Sequence, residues 1–252
     1  MAQAPPQSGL KAEEQRTKLF VPHNGGELTF LHPPYGPDTY ANVGLAIEQD
    51  QLKRPTMPET ASLVHTAFNS DDPRYIQIRD IMEREWLYAF TGTLRVTGKG
   101  VYIQDDPKIR NGMPFMDGVS LEQKLSAKDP NVRHVPFGYK VGEMTSLQLA
   151  ENAYVIALAG EEGAKKLAEV AEKYLDALAR EEGAKKLTAL AEVAEKYYST
   201  MPYLWSPEPV EQTLTSVSAI VSRLFGQRLG IVSSSGIDNL GRAFGLLSRA
   251  EK

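Results

Sequence analysis

The Asn24-Gly25 pair in "KLFVPHNGGELTFL" (residues 18–31) is the strongest constraint on how this chain folds. A two-residue type I′ turn needs positive φ at both central positions, and Asn-Gly is the dipeptide that favours it. Such a turn fixes a register in which the apolar side chains of both strands share one face. Three cross-strand pairs follow: His23 with Gly26, Val21 with Leu28, and Leu19 with Phe30. The sequence therefore predicts an antiparallel hairpin here, with His23 as a solvated side chain at a strand end.

A second hairpin is predicted in "TLRVTGKGVYIQ" (residues 93–104). Gly98-Lys99 suits a type II′ turn, which has glycine at its first central position. That turn places Val96 opposite Val101 and Leu94 opposite Ile103.

Three helices are predicted between the hairpins. The first covers residues 39–52, and the second begins with a capping box formed by Thr56 and Glu59. The third begins with Asp72 as N-cap and Pro73 at the first helical position. Its buried row is Tyr75, Ile78, Met82 and Trp86, and Gly92 ends it.

Residues 105–136 are rich in Asp, Asn, Gly and Pro, which is typical of a long connection or a weak domain boundary. They contain one predicted short helix near residues 120–127. A possible strand follows at "FGYKV" (137–141), and Thr145 with Gln148 forms a second capping box. The run "AYVIALA" (153–159) fits either a buried strand or a buried helical turn, since periodicity does not separate the two.

Residues 157–198 contain a tandem repeat. "ALAGEEGAKKL" at 157–167 returns as "ALAREEGAKKL" at 177–187, and "AEVAEKY" at 168–174 returns at 191–197. Two copies with offsets of 20 and 23 residues are too few and too irregular for a stacked solenoid. A local duplication, natural or engineered, explains the pattern better. Glu and Lys recur four residues apart in both copies, each pair contributing ~0.2–0.5 kcal/mol to a helix.

The two copies have separate apolar rows, which restricts their shape. An offset of 20 residues turns a straight helix by roughly 200°, so one surface does not bury both rows. Either the helix breaks near Arg180–Gly183 and folds back as a helical hairpin, or it stays continuous and its second face meets a partner. The break is favoured because it needs no partner. The rows are Leu167, Val170, Tyr174 and Leu178, and then Leu187, Leu190, Ala194 and Tyr197.

The C-terminal part continues the mixture of helices and strands. "VEQTLTSVSAIVSRLF" (210–225) fits helix or strand, and helix is favoured. "RLGIVSSSGIDNLGRAFGLLSR" (228–249) predicts two short strands joined by a polar hairpin loop. The predicted fold class is α+β, with antiparallel hairpins packed against several helices and a long duplicated helical segment. Residues 1–17 are interpreted as a flexible tail and 18–252 as a single domain.

Composition narrows the function classes. The formal net charge of -4 supplies no basic field for nucleic acid or an anionic membrane surface. No run approaches the roughly 20 apolar residues of a membrane span. The chain has no cysteine, which excludes disulfides and thiolate chemistry and fits the cytoplasm.

The search for catalytic motifs is negative, because phosphate-loop, dinucleotide, metalloprotease, nucleophile-elbow and EF-hand patterns are all absent. No metal site or cofactor is predicted, since no two of the four histidines have ligand spacing on a helix. A small-ligand site remains possible in "LHPPYGPDTY" (31–40), where His32, Tyr35 and Asp38 precede a helix N-terminus and Arg242 is a candidate anion partner. The alternative is that Asp38 or Thr39 caps the helix while Tyr35 packs on the prolines.

Two function hypotheses follow. The first is a non-catalytic binding or assembly protein that uses the duplicated helical segment as an interaction surface, with self-association through the repeat. The second is a small-molecule enzyme with a site around the 32–38 loop.

Overall fold

The sheet is the framework that positions every other element. The computed structural model describes residues 16–183, 201–206, 212–222, 228–235 and 240–247. Within them the strands are β1 (Thr17–His23), β2 (Gly26–Asp38), β3 (Trp86–Val96), β4 (Gly100–Asp105), β5 (Ile109–Arg110), β6 (Met113–Pro114), β7 (Val132–Val135), β8 (Gly142–Glu143), β9 (Tyr203–Trp205), β10 (Leu214–Val221), β11 (Gly230–Ser234) and β12 (Gly241–Leu246). The helices are α1 (Tyr40–Gln49), α2 (Met57–Phe68), α3 (Pro73–Arg84), α4 (Gly118–Ser126), α5 (Ser146–Ala150) and α6 (Ala153–Gly183).

Ten strands form one mixed sheet in the order β1-β2-β12-β3-β10-β11-β9-β8, with β4 on β3 and β7 on β4. The β12–β3 and β11–β9 pairs are parallel and the other pairs are antiparallel. β5 and β6 form a separate two-stranded ribbon. Helices combined with a mixed sheet make the chain α+β.

Both faces of the sheet are covered. Neighbouring strand residues point to opposite faces, and Phe30 and Leu31 belong to different apolar clusters. One cluster joins the sheet to α2, α3, α5 and α6, and the other joins it to α1 through Tyr40, Val43 and Ile47. The sheet therefore lies between two helical layers.

The helix starts follow the predicted caps. Thr39 accepts from the Asn42 amide, the Thr56–Glu59 capping box is present, and Asp72 caps α3 with Pro73 at its first position. The capping box of Thr145 and Gln148 is also present. The end predicted for the third helix is wrong, because α3 stops at Arg84 and residues 86–96 form β3. "WLYAF" is aromatic-rich and buried on both faces, so it has no alternation to identify it as a strand.

The first hairpin has the predicted register, with His23 opposite Gly26 and Val21 opposite Leu28. Asn24 and Gly25 have φ of 46° and 70°, as a type I′ turn requires. In the second hairpin the predicted register is wrong by one residue. Val96 pairs with Gly100 and Leu94 with Tyr102, so the loop has three residues.

The connection after β4 contains more structure than predicted. The ribbon β5–β6, helix α4 and strand β7 occupy it, and Asp117 caps α4. The strand predicted at 137–141 is wrong, since these residues form no regular structure and β8 follows at Gly142. Residues 153–159 are helical.

The first copy of the repeat lies in α6, which is kinked at Gly160 with φ of 74° and ψ of 164°. The backbone is then helical to Gly183, so the break predicted near Arg180–Gly183 falls at the last described residues of this segment. The second copy, residues 184–197, lies outside the described residues, as does most of the predicted tail (1–15).

The C-terminal region differs from prediction in two ways. Residues 214–221 form β10, so the helix favoured for 210–225 is wrong; the β-branched content decided the outcome over the helical spacing. β11 and β12 are strands as predicted, but they are not a hairpin, because β10 and β3 lie between them in the sheet.

Candidate functional site

The predicted 32–38 loop is wrong, since this segment is the second half of β2. It pairs with β12, with Asp38 opposite Gly241 and Tyr35 opposite Ala243, and the register shifts along the way. β1 pairs with β2 only as far as His32. Pro33 and Pro34 lie beyond that point, where a missing amide donor removes no bond to β1.

Close backbone packing explains Gly36 in this segment and Gly241 opposite it on β12. Gly36 has φ of 97°, and a Cβ added there would lie 2.4 Å from the Gly241 carbonyl oxygen. A side chain at Gly241 would in turn meet the Trp86 carbonyl at 2.6 Å. Gly36 and Gly241 let β2, β12 and β3 approach each other closely.

The side chains of Tyr35 and His32 contact other residues of the protein. Tyr35 is buried, its hydroxyl donates to Asp50, and the Arg16 guanidinium lies 3.9 Å above its ring centre. Burial, together with the hydrogen bond to Asp50, raises the pKa of Tyr35. His32 stacks on Phe244 with ring centres 6.3 Å apart, and its Nε2 contacts the Gln77 side-chain oxygen.

Asp38 and Arg242 also have protein partners. Asp38 accepts from the Asn42 side-chain amide at 2.9 Å and from the Thr39 backbone amide at 2.7 Å. The Asn42 hydrogen bond, with that of Thr39, lowers the pKa of Asp38. Arg242 donates to Glu85 at 2.7 Å and to the Gly36 carbonyl at 2.8 Å. The four predicted site residues therefore hold β2, β12 and the neighbouring helices together.

A cleft of about 470 Å³ lies at the tip of the first hairpin, away from that segment. Its floor holds the buried carboxylate of Glu59, which accepts from the Thr56 amide, the Thr56 hydroxyl and Lys53 Nζ at 2.7, 2.8 and 2.5 Å. His23 and Asn24 form its rim, and Leu28, Leu246 and Leu247 form an apolar wall.

His23 connects this cleft to α2. Its Nδ1 lies 2.9 Å from Ser62 Oγ, and its Nε2 lies 3.0 Å from the Asn24 side-chain nitrogen. Because an amide nitrogen only donates, the network assigns the acceptor role to Nε2 and the proton to Nδ1. Burial lowers the pKa of His23 despite the opposing charge of Glu59. The prediction of a solvated His23 is wrong; the ring is half-buried and fixed.

The same network argues against a nucleophilic serine. Ser62 is 1% exposed and donates its proton to the Pro58 carbonyl at 3.2 Å. It accepts from His23 Nδ1 and from Lys166 Nζ, the latter at 3.0 Å. A histidine that donates to a serine is not its general base. The contacts of Ser62 instead join the hairpin, α2 and α6.

This junction extends along the whole length of α2. Lys166 also donates to the Pro22 carbonyl at 3.1 Å and pairs with Glu162 at 2.5 Å. Further along, His65 Nε2 lies 2.7 Å from Glu169, and Lys173 donates to the Phe68 carbonyl at 3.0 Å. Beneath these polar contacts, Leu167, Val170 and Tyr174 are buried, and Tyr174 packs on Phe68 with ring centres 4.8 Å apart.

Sequence reasoning missed this junction because its partners lie about a hundred positions apart. Only the Glu-Lys spacing within α6 was visible locally, and it predicts pairs within a helix. The partial burial of Lys166 and its hydrogen bond to Ser62 depend on tertiary packing that no local pattern encodes.

Comparison with known proteins adds no relative: no family model, no curated protein and no solved structure matches this chain. Among the described residues, no group of three or more His, Asp or Glu side chains is arranged to hold a metal ion. In that same part of the chain, no helix has the length and apolar character needed to cross a membrane.

Proposed function

We propose that this chain is a non-catalytic assembly protein that self-associates through its duplicated helical segment. The observation that carries the proposal is the packing of the first copy, in which Leu167, Val170 and Tyr174 are buried and the polar side chains of Lys166 and Glu169 contact α2. A second copy of the same sequence is therefore a second docking element in a chain that already has one.

The recurring residues are those that make the contacts. Glu162, Lys166 and Leu167 return as Glu182, Lys186 and Leu187, and Glu169, Lys173 and Tyr174 return as Glu192, Lys196 and Tyr197. An exposed helical face would tolerate many substitutions, whereas these positions keep both charge and apolar character. This retention supports a binding role for the second copy.

The enzyme hypothesis receives no comparable support. His32, Tyr35 and Asp38 lie along β2 and Arg242 lies on β12, and each of the four contacts a protein partner. General acid–base chemistry would need such groups to face a common substrate position.

The experiment compares the full chain with a variant that lacks Leu175–Tyr197. This deletion joins Tyr174 to Tyr198, so the first copy stays intact and runs into the sequence that normally follows the second. Light scattering during size-exclusion chromatography, over a hundredfold range of concentration, reports the mass of each.

We expect concentration-dependent association of the full chain and a monomer for the deletion variant. Matching melting temperatures would establish that the variant keeps the fold. Two monomers at every concentration, or equal association of both chains, would overturn the proposal.

A further inference from the structure

We propose that the cleft at the first hairpin tip binds a free α-amino acid with an aliphatic side chain. The cleft offers a backbone donor and acceptor, a charged group of each sign and an apolar wall, which together match the parts of such a ligand. All the residues that line it lie in the described part of the chain, and the inference does not depend on self-association.

The backbone of Glu27 presents both of its polar groups to the cleft. Glu27 lies opposite Pro22 in the pair next to the residues that close the two-residue turn, so its N–H and C=O point away from β1. Thr29, two positions along β2, shares this direction, because its carbonyl accepts from the Leu247 amide at 3.0 Å. β12 pairs with β2 only as far as Phe30, so within the described chain this edge of β2 is open at Glu27.

Two opposite charges lie at the floor of the cleft in fixed positions. Glu59 is buried and is held by the Thr56 amide and hydroxyl. The backbone of Lys53 is held by two hydrogen bonds of 2.9 Å with Leu246. The Lys53 ammonium donates to Glu59 at 2.5 Å, and its side chain is 45% exposed. Because an ammonium has three N–H groups, Lys53 can also bind an anion from the cleft.

The charges of the lining favour a zwitterion over a simple anion or cation. The lining contains two carboxylates, Glu27 and Glu59, and one ammonium, Lys53, while the His23 ring is neutral through its hydrogen bonds. A carboxylate alone would lie beside Glu59 without a balancing charge, and an ammonium alone would be repelled by Lys53. An α-amino acid places its carboxylate on Lys53 and the Glu27 N–H. Its ammonium then donates to the Glu27 carbonyl and to Glu59.

The apolar wall determines the side chain of the ligand. Leu246 is buried, whereas Leu28 and Leu247, which also line the cleft, are only half-buried. An aliphatic side chain that packs on them removes further apolar surface from water, which favours binding. The cleft volume of about 470 Å³ lies within the range of roughly 300–1,000 Å³ that is typical of small-molecule sites.

Titration calorimetry of the full chain with L-leucine tests the proposal, together with analogues that each lack one recognised part. Isocaproate lacks the ammonium, isopentylamine lacks the carboxylate, and glycine lacks the side chain. We expect leucine to bind and each analogue to bind at least about tenfold more weakly, as for the loss of one charge-assisted hydrogen bond or of a similar apolar contact. Absence of binding heat with leucine up to about 10 mM, or equal affinity for leucine and any analogue, would overturn the proposal.

Lys53→Met removes the group that binds the ligand carboxylate, and Lys99→Met is its matched control. Lys99 also lies 2.5 Å from a glutamate oxygen, that of Glu122, and its side chain is 56% exposed, but it lines a different cleft. We expect Lys53→Met to weaken leucine binding about tenfold and Lys99→Met to leave it unchanged. Equal effects of the two substitutions would contradict the assignment of the site.

Nuclear magnetic resonance of the parent chain locates the ligand even if a variant does not fold. Because the ligand carboxylate accepts from the Glu27 N–H, we expect leucine to shift the backbone amide resonances of Glu27 and its neighbours on β2. Shifts confined to other parts of the chain would overturn this site, even where calorimetry detects binding of leucine.

Discussion

The β1–β2 and β3–β4 hairpins were both predicted from a glycine-containing turn, but different features determine their register. In β1–β2 the turn and the burial pattern select the same pairing, because burial alternates along β1 with Leu19 and Val21 inward and Phe20 outward. One face is solvated, so a slip of one residue would move the apolar set into water.

In β3–β4 the register predicted from the turn sequence is wrong. β3 is buried on both faces over residues 86–95, and even Arg95 is buried, donating to Ser216 at 2.9 Å and to Ser206 at 2.8 Å. Alternation therefore gives no preference between adjacent registers. The register is set by tertiary packing, because Gly100 lies against the backbone of β7, where a Cβ would be 2.4 Å from the Val135 carbonyl oxygen.

A turn motif therefore predicts the register of a hairpin only where one face of its strands meets solvent. Where both faces are buried, the neighbouring strand decides. Substitutions at the turn glycines separate these two mechanisms, and their expected effects differ in size.

The largest effect is expected for Gly100→Ala. The new Cβ would collide with the Val135 carbonyl and lie 2.9 Å from Pro136 Cα, at a φ of 121°. Since backbone atoms do not move aside as a flexible side chain does, we expect a loss of roughly 3–5 kcal/mol in the free energy of unfolding. Urea denaturation followed by circular dichroism measures it.

Gly98→Ala is the control for that prediction. Gly98 also has positive φ, at 72°, but no atom lies within 4 Å of its added Cβ. Only the backbone penalty of about 1 kcal/mol is expected. Equal losses for the two variants would mean that β7 does not set the register of this hairpin.

Gly25→Val tests the first hairpin and is expected to have an intermediate effect. A Cβ at Gly25 meets no atom within 4 Å, so the penalty comes from a β-branched residue at φ of 70°. We expect a loss of about 2 kcal/mol by the same measurement. Gly25→Asn is the matched variant, because asparagine tolerates positive φ, and it should stay within about 0.5 kcal/mol of the parent. A harmless Gly25→Val would show that the turn conformation does not determine the pairing.

Local sequence signals predicted where several helices begin. They did not predict the elements whose conformation depends on long-range contacts. The caps at Thr56, Asp72 and Thr145 depend on side chains within three residues of the helix, which the sequence displays. The predictions for residues 214–221 and for the end of the third helix were wrong. Those residues are strands buried on both faces, and that burial depends on distant strands.

The conformation of the 32–38 segment was missed for the same reason. Residues 32–38 have the composition of a turn, yet Gly36 serves close approach to β12, a strand about two hundred positions away. The α2–α6 junction was invisible in the sequence, although the repeat did identify the segment that takes part in it. A motif whose residues are close in sequence can be predicted from the sequence. A side chain that contacts a distant element can be placed only when the fold is known.

The smallest effect expected is a pH dependence that originates at the first hairpin tip. Burial lowers the pKa of His23 below its ordinary value of 6.5, so between these two values the unfolded chain binds more protons than the folded one. The stability contributed by His23 is then fully present above pH 6.5 and declines as the pH falls toward the lowered pKa.

His23→Gln keeps a hydrogen-bonding side chain on Ser62 and removes the titration. Urea denaturation at intervals from pH 7.5 to 5.5, above the main titration range of carboxylates, should show a steeper fall for the parent chain than for this variant. Parallel pH profiles for parent and variant would mean that His23 does not couple the hairpin tip to α2 through its neutral form.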